Sequence, residues 1–208
     1  MTKSELRRIY LERRQALSPD ERMEKSREIA ERFFAGIELG GIKSLHTFIP
    51  INKFAEVDSS LIYTRIWSEL PAINVIAPAV ELESGLLKHR RFAAESRLET
   101  NRWGITEPQD GEPIEPEEID MILVPLTCFD GRGNRVGFGK GFYDRFLKQC
   151  RPDCLKIGLS IFEPVDDIED ANAFDVPLDK CITSEKIFVF TDLPVKPPTS
   201  PLAGLGSQ

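Results

Sequence analysis

The sequence has no apolar run long enough to span a bilayer, and its first residues carry no apolar signal-peptide core. These absences favour a cytoplasmic protein without a membrane partner. Histidine is also scarce, since His46 and His89 are the only two. Neither lies near a cysteine in the sequence, which argues against a zinc site. No C-x-x-C pair is present, so we expect reduced structural thiols at all four cysteines: Cys128, Cys150, Cys154 and Cys181.

The chain also lacks an excess of positive charge. Its 27 Lys and Arg residues against 34 Asp and Glu residues give a formal net charge of −7. This balance argues against broad nucleic-acid binding, so we expect no nucleic-acid partner. An anionic ligand therefore needs a local basic pocket, and basic residues do cluster near the N-terminus and in a glycine-rich loop. Glu107 to Asp120 contains no Lys or Arg and several prolines, which predicts a solvated surface loop.

The 208 residues, 41% of them hydrophobic, are enough for one α/β domain with a sizeable core. Capping-box spacing predicts helices that start at Thr2 and Ser18, and a third helix starts at Asp58 or Ser59. The predicted strands cover 44–49, 73–80, 121–126, 155–160 and 187–190. Strand, helix and strand in this order favour a single-domain, three-layer α/β/α fold with a mostly parallel, Rossmann-like sheet over 1–190. Pro, Ser and Gly dominate 191–208, which we expect to be a disordered tail.

The most informative segment is the glycine-rich loop Asp130–Arg145, DGRGNRVGFGKGFYDR. It lies between the buried strand Met121–Leu126 and a segment of helical spacing. Backbone N–H groups, a helix N-terminus and basic side chains in such a loop favour phosphate binding. The loop matches neither the Walker pattern, because Lys140 is followed by glycine, nor the dinucleotide fingerprint, because Phe142 occupies its sixth position.

The segment VPLTCFDGRGNRVGFGKGFYD, Val124 to Asp144, resembles the signature of the 5-formyltetrahydrofolate cyclo-ligases, also called methenyltetrahydrofolate synthetases. The resemblance extends from KSELR near the N-terminus to about Phe190. It implies a Mg-ATP-dependent conversion of 5-formyltetrahydrofolate to 5,10-methenyltetrahydrofolate, with release of ADP and phosphate. The formyl oxygen would attack the γ-phosphate, and a folate nitrogen would then close the ring and expel phosphate. The resemblance thus implies two ligands, ATP and the folate, with Mg²⁺ as cofactor, and we expect a monomer.

The resemblance also assigns roles to residues. Arg135, Lys140 and Tyr143 would be catalytic, and Asp144 and Asp175 would hold the metal. Asp166, Asp167 and Asp170 are acidic alternatives to Asp175. The residues that would bind ATP are Lys3, Arg7, Arg135, Val136, Gly137, Phe138, Gly139, Lys140, Gly141, Phe142 and Tyr143. The residues that would bind the folate are Ile49, Glu56, Trp103, Phe138, Gly139, Lys140, Gly141 and Phe142.

Several alternatives stay open at this point. Glu56 follows an apparent two-residue insertion relative to the family pattern, so Asp58 is the alternative pterin ligand. Lys3 and Arg7 lie on one helix face, yet Arg8, Arg13 and Arg14 continue the charge, as in a solvated basic face. The alternatives to a cyclo-ligase are an ATP-dependent small-molecule kinase and a non-catalytic folate- or nucleotide-binding paralogue of the same fold.

Overall fold

A computed structural model describes residues 1–81, 86–101 and 104–190. Trp103 and the predicted tail, 191–208, lie outside the described residues. In the part that is described, helices occupy four segments: α1 Lys3–Ala16, α2 Pro19–Gly36, α3 Ser60–Glu69 and α4 Phe142–Leu147. Two short 3₁₀ helices, Asn52–Phe54 and Pro116–Glu118, add to them.

The described strands all follow α2 along the chain. They are β1 Ser44–His46, β2 Asn74–Glu81, β3 Leu86–Arg91, β4 Leu98–Thr100, β5 Thr106–Pro108, β6 Met121–Pro125, β7 Cys128–Phe129, β8 Arg135–Val136, β9 Leu155–Leu159, β10 Lys180–Ile182 and β11 Ile187–Val189. Seven of these described strands form one sheet in the order β11-β10-β9-β6-β1-β2-β3. Strands β10, β9, β6, β1 and β2 pair in parallel, and the edge strands β11 and β3 pair antiparallel. The predicted α/β fold with a mostly parallel sheet is confirmed.

The first two helices begin where their sequences predict. The Thr2 hydroxyl accepts a hydrogen bond from the Glu5 N–H, while the Glu5 carboxylate accepts from the Thr2 N–H. Ser18 and Glu21 form the same reciprocal pair, and Pro19 occupies the first turn, where a missing N–H costs no intrahelical bond. Each box satisfies N–H groups that a helix N-terminus otherwise leaves unpaired.

The core lies on both faces of the main sheet, because successive strand residues point to opposite faces. Leu45, Val75 and Leu123 face α2 and α3, whose buried apolar residues form one cluster with them. Ile76 and Ile122 face the other way and pack with residues of α4. Helices thus cover both faces, which gives the three predicted layers.

Three local predictions need correction. The first strand ends at His46 rather than at 49. The buried strand β6 does not lead directly into the glycine-rich loop, because the short strand β7 lies between them and pairs with β8, which is part of the loop segment. The segment Glu107–Asp120 is not wholly irregular, since it includes the end of β5 and a 3₁₀ turn. Short strands of this kind depend on long-range pairing, which local sequence patterns do not report.

Two strands of the main sheet were not predicted at all. Strand β3 has a mixed, half-exposed pattern, and β10 has three residues. Both lie next to a longer strand that supplies their hydrogen-bonding partners. Within the described residues, no helix combines the length and apolar character that a membrane span requires.

Candidate active site around the glycine-rich loop

The N-terminal helix α1 brings two cations to the glycine-rich loop. Leu6 of α1 is buried against Cys128 and Val136 of the β7–β8 hairpin, which fixes the helix beside the loop. The Arg7 Nε–H then donates to the Gly137 carbonyl at 2.6 Å. One turn earlier, the Lys3 Nζ donates to Asp175 Oδ2 at 2.5 Å. Both predicted phosphate-binding residues of α1 therefore face the predicted site.

The loop itself depends on glycine at two positions. Gly139 and Gly141 have φ of +85° and +67°, in the left-handed region that favours glycine. A Cβ on Gly139 would come within 3.1 Å of the Arg7 Cζ. Gly141 is the N-cap of α4, so its conformation sets where that short helix begins. The loop backbone and the Arg7 guanidinium are therefore fitted to each other.

Arg135 and Asp144 form the second charged pair of the site. The Arg135 side chain is 5% exposed, and its Nη2 donates to Asp144 Oδ1 at 2.8 Å. Its Nη1 donates to the Val176 carbonyl. Asp144 Oδ1 also accepts from the Val176 N–H at 3.1 Å, which ties the start of α4 to the segment that carries Asp175. These hydrogen bonds hold the Arg135 guanidinium, and therefore its positive charge, in one position.

The two predicted metal ligands fit Mg²⁺ in their chemistry. Asp144 and Asp175 each engage one carboxylate oxygen in the contacts above, and Asp175 Oδ2 also accepts from the Asn172 N–H. Among the described residues, no hydrogen bond reaches the second oxygen of either carboxylate. Carboxylate oxygens together with phosphate oxygens and waters form an ordinary Mg²⁺ coordination set. Within the described ranges, no cluster of three or more metal-binding side chains occurs, so the ligand phosphates would have to complete the shell.

Glu56 lies at the other end of the site. It is 6% exposed, and its Oε2 accepts from the Ile51 N–H at 2.7 Å. Burial raises the pKa of Glu56 to about 7, although the Ile51 N–H and the charge of Arg14 both oppose the rise. The carboxylate also lines a cavity of about 320 Å³ between the start of α2 and the segment 50–63. Asp58, the alternative to Glu56, lines the same cavity and caps the local turn through the Ser60 N–H.

Phe138 connects the loop to the Glu56 end. Its ring stacks on Phe54 with centroids 4.4 Å apart and an interplanar angle of 26°. Phe54 belongs to the 3₁₀ turn that precedes Glu56. The guanidinium carbon of Arg14 lies 5.8 Å from the centroid of the Phe138 ring. The aromatic pair thus places the glycine-rich loop and the Glu56 segment next to each other.

Tyr143 is held beneath the loop with its hydroxyl buried. The hydroxyl oxygen finds no hydrogen-bond partner in the described part of the chain, and burial raises the pKa of Tyr143 well above its usual value. Its ring lies edge-on to His46 and to Phe146 of α4. The His89 Nδ1 and the His46 Nε2 are 3.2 Å apart, and burial lowers the pKa of both imidazoles, that of His89 to about 4.

The remaining predicted residues lie around this cluster with different exposures. Ile49 is half-buried against the core beneath α2 and α3. The Val136 side chain is buried in the hairpin core, so its backbone alone is available to a ligand. Lys140 is exposed, and Phe142 carries the Arg145 guanidinium 5.3 Å from its ring centroid. Trp103 lies outside the described residues, so its predicted stacking role stays a prediction.

Sequence reasoning missed one charged residue of the site, Arg14. It was grouped with a solvated basic face, yet it is 2% exposed, whereas its neighbour Arg13 is exposed. The signal was present in the spacing. Positions 3, 7, 10 and 14 share one face of a helix, and Lys3 and Arg7 already mark that face as the one toward the loop.

The chain is similar to known proteins over nearly its whole length. The chain matches the 5-formyltetrahydrofolate cyclo-ligase family over residues 1–184. It is 30% identical to the 5-formyltetrahydrofolate cyclo-ligase of Mycoplasma pneumoniae over 188 residues, 89% of this chain and 100% of that protein. The protein of that name from Escherichia coli is 26% identical over 187 residues, 85% of this chain and 97% of the relative.

A solved structure of the 5,10-methenyltetrahydrofolate synthetase of Aquifex aeolicus superimposes with a TM-score of 0.74 at 32% identity. The superposition covers 94% of this chain and 96% of the other. The family model spans the N-terminal helix, the Glu56 segment and the glycine-rich loop together, so the resemblance first seen in the loop is confirmed. The chain belongs to the 5-formyltetrahydrofolate cyclo-ligase family and is an enzyme.

Proposed function

We propose that this enzyme uses ATP and Mg²⁺ to convert 5-formyltetrahydrofolate to 5,10-methenyltetrahydrofolate through a phosphorylated formyl intermediate. The observation that carries the proposal is the meeting of Lys3, Arg7 and Arg135 with the glycine-rich loop and two carboxylates. Cations and loop N–H groups suit a triphosphate, and the carboxylates suit its metal. We assign this site to a single domain, 1–190, that acts as a monomer.

The reaction requires that a poor leaving group be activated. The formyl oxygen of the folate attacks the γ-phosphorus of ATP, and the bond to the β–γ bridging oxygen breaks to release ADP. The neighbouring folate nitrogen, N10, then attacks the activated formyl carbon, loses its proton and expels inorganic phosphate as the ring closes. Catalysis of this kind depends mainly on alignment and on neutralisation of charge at the transferred phosphoryl group.

The residues at the phosphate end supply that alignment and charge. Arg7 and Lys3 lie along the loop edge, Arg135 is fixed beneath it, and the loop N–H groups from Val136 to Tyr143 bind phosphate oxygens. Lys140 projects from the loop and adds positive charge as the phosphoryl group transfers. Asp144 and Asp175 would hold Mg²⁺, which would neutralise the triphosphate charge when bound.

At the other end, Glu56 accepts hydrogen bonds from the pterin ring. The amino group and ring N–H of a pterin lie side by side, so one carboxylate can accept from both. Phe138 lies against Phe54 where the folate would pass from Glu56 to the loop. The buried Tyr143 hydroxyl has hydrogen-bonding capacity that a ligand at the loop can use.

The test is an absorbance assay for the methenyl product with purified protein, 5-formyltetrahydrofolate and Mg-ATP. We expect product only when ATP is present, with one ADP and one phosphate formed for each methenyl group, and loss of activity when Mg²⁺ is chelated. Arg7→Ala should lower turnover, whereas the exposed Arg8→Ala, on the same helix, should not. ADP formation without the methenyl band would favour a kinase. Folded protein that neither ligand stabilises against heat would contradict the catalytic proposal itself.

A further inference from the structure

Arg14 is a buried cation whose hydrogen-bonding capacity is mostly unused. Arg14 is 2% exposed, and its Nη1 donates to the Leu126 carbonyl at 3.0 Å. The Nε and Nη2 groups are buried and have no hydrogen-bond partner among the described residues. A buried charged group normally has partners for its N–H groups, because leaving them unpaired is costly. Two free donors on one buried guanidinium therefore indicate a partner outside the chain.

The surroundings of Arg14 identify the part of the ligand that it faces. Its guanidinium lies near the Phe138 ring of the glycine-rich loop, and its charge acts on the buried Glu56 carboxylate. Burial lowers the pKa of Arg14, and the negative charge of Glu56 opposes part of that lowering. Arg14 thus lies near the Phe138 ring and within electrostatic range of Glu56, at the folate end of the proposed site. Lys3 and Arg7, in contrast, already have partners at the phosphate end.

We propose that Arg14 is a substrate-binding residue that donates to the ring carbonyl oxygen of the pterin, beside the N–H edge that Glu56 accepts. This proposal rests on the proposed function and adds a specificity-determining residue to it. A pterin presents an amino group, a ring N–H and a carbonyl oxygen in a row. A carboxylate next to a guanidinium is the complementary set of acceptors and donors.

A purely structural role for Arg14 accounts for less of what is seen. Support of the Leu126 carbonyl requires one N–H group, and a lysine or a neutral amide would supply it. Nothing in the described residues engages the other two donor groups. A phosphate-binding role also fits less well, because this guanidinium contacts the Leu126 carbonyl and the Phe138 ring and lies within electrostatic range of Glu56, an acidic group.

The first experiment measures steady-state kinetics for Arg14→Met, with Arg13→Met as the matched control. Arg13 lies on the same helix, is exposed and contacts the ring of Tyr10. We expect Arg14→Met to raise KM for 5-formyltetrahydrofolate by about tenfold or more, with KM for ATP within about twofold of the wild type. Arg13→Met should match the wild type in both. A rise in KM for ATP alone, or no change in either constant, would overturn the proposal.

The second experiment uses an analogue whose ring carries a 4-amino group in place of the carbonyl oxygen. The wild type should bind the 4-oxo form more tightly than the 4-amino form by about a hundredfold, because the analogue presents a donor to the Arg14 donors. Arg14→Met should reduce that ratio to about tenfold or less. The analogue also changes the ring nitrogen next to Glu56, but it does so equally for both proteins. The ratio between the two proteins therefore isolates the contribution of Arg14.

Arg14→Lys carries the test if the methionine variant does not fold. Lysine keeps the charge and one donor group for Leu126, so the variant should fold, yet it should show a reduced preference for the 4-oxo ring. A wild-type preference in Arg14→Lys would refute a role for the guanidinium in reading the carbonyl. Wild-type protein that makes no methenyl product and binds neither ring form would instead refute the proposed function, so the two failures are distinguishable.

Discussion

The candidate site has two ends that differ in how their charged groups are bonded. We call them the phosphate end, around Lys3, Arg7 and Arg135, and the pterin end, around Arg14 and Glu56. At the phosphate end two of the cations form salt bridges, Lys3 with Asp175 and Arg135 with Asp144. At the pterin end Arg14 and Glu56 are buried, and no salt bridge joins them to each other or to another described residue. Paired charges keep their places before a ligand arrives and then serve an anion and its metal. Buried, incompletely bonded groups are costly in the free protein and suit a neutral ring with directional donors and acceptors.

The largest effect is expected from Asp144→Asn, at the paired end. An amide oxygen can still accept from Arg135 and from the Val176 N–H, so the fold should survive. The lost negative charge should weaken Mg²⁺ binding and lower turnover by about a hundredfold. Turnover measured over a Mg²⁺ titration, with circular dichroism as a check on folding, tests this expectation. A rate equal to that of the wild type at low Mg²⁺ would remove Asp144 from the metal site.

Glu56→Gln should reveal the cost of the unpaired end as a change in stability with pH. Burial raises the pKa of Glu56 from 4.5 to about 7, so the folded protein holds this proton more tightly than the unfolded chain does. The stability that this proton contributes is fully present below about pH 4.5 and is lost as the pH rises through about 7. Glutamine mimics the protonated acid, so the variant should gain about 2 kcal/mol relative to the wild type between about pH 5 and about pH 8.

Denaturant unfolding of both proteins across that range measures the difference. Arg14 and the buried Tyr143 face Glu56 and stay in place in both proteins. Burial lowers the pKa values of His46 and His89, so their contribution to stability grows as the pH rises through the acidic range, equally in the two proteins. If the free energies of unfolding of wild type and Glu56→Gln changed in parallel with pH, ionisation of Glu56 would cost the folded protein no stability. The pterin end would then resemble the phosphate end.

A smaller effect is expected from Gly139→Ala, which disturbs the loop without removing a charge. The new Cβ would lie in the left-handed region and within 3.1 Å of the Arg7 Cζ, so Arg7 must move away from the Gly137 carbonyl. We expect KM for ATP to rise by about tenfold and the melting temperature to fall by several degrees. Gly131→Ala is the control, because a Cβ there meets open space and its φ is not in that region. Equal kinetics for the two variants would mean that the fit of Arg7 to the loop is unimportant.

The sequence could predict the elements that carry strong local signals, but not those that depend on distant partners. Long, strongly patterned elements such as α1, α2 and β6 were placed within a few residues, because capping boxes and an apolar run are local signals. Strand β10 and the β7–β8 hairpin were missed, because their pairing partners are distant in sequence or too short to show a period. The glycine-rich loop was found from its composition and from its place between an apolar run and a segment of helical spacing, and both are local signals.

The pterin end was less accessible to sequence reasoning. Glu56 rested on a resemblance across an insertion, and Arg14 entered only with Arg8 and Arg13, as part of the alternative of a solvated basic face. Charge composition does not tell which arginine of a basic helix is buried, because that depends on which helix face packs against the hairpin, as Leu6 does. The predicted pairing of Lys3 and Arg7 on one face was correct, and extension of that face by two turns would have reached Arg14.

The smallest effect is expected from Lys140→Ala, which removes an exposed charge from the paired end. Lys140 is exposed and makes no salt bridge with any described residue. An exposed cation contributes little through solvent-screened attraction, so turnover should fall by less than about threefold and the melting temperature should not change. The small loss should disappear at high salt, where screening removes the remaining attraction to the triphosphate. A loss of about a hundredfold that persists in salt would mean that Lys140 contacts the transferred phosphoryl group directly, and the charges essential at this end would then extend beyond the paired residues.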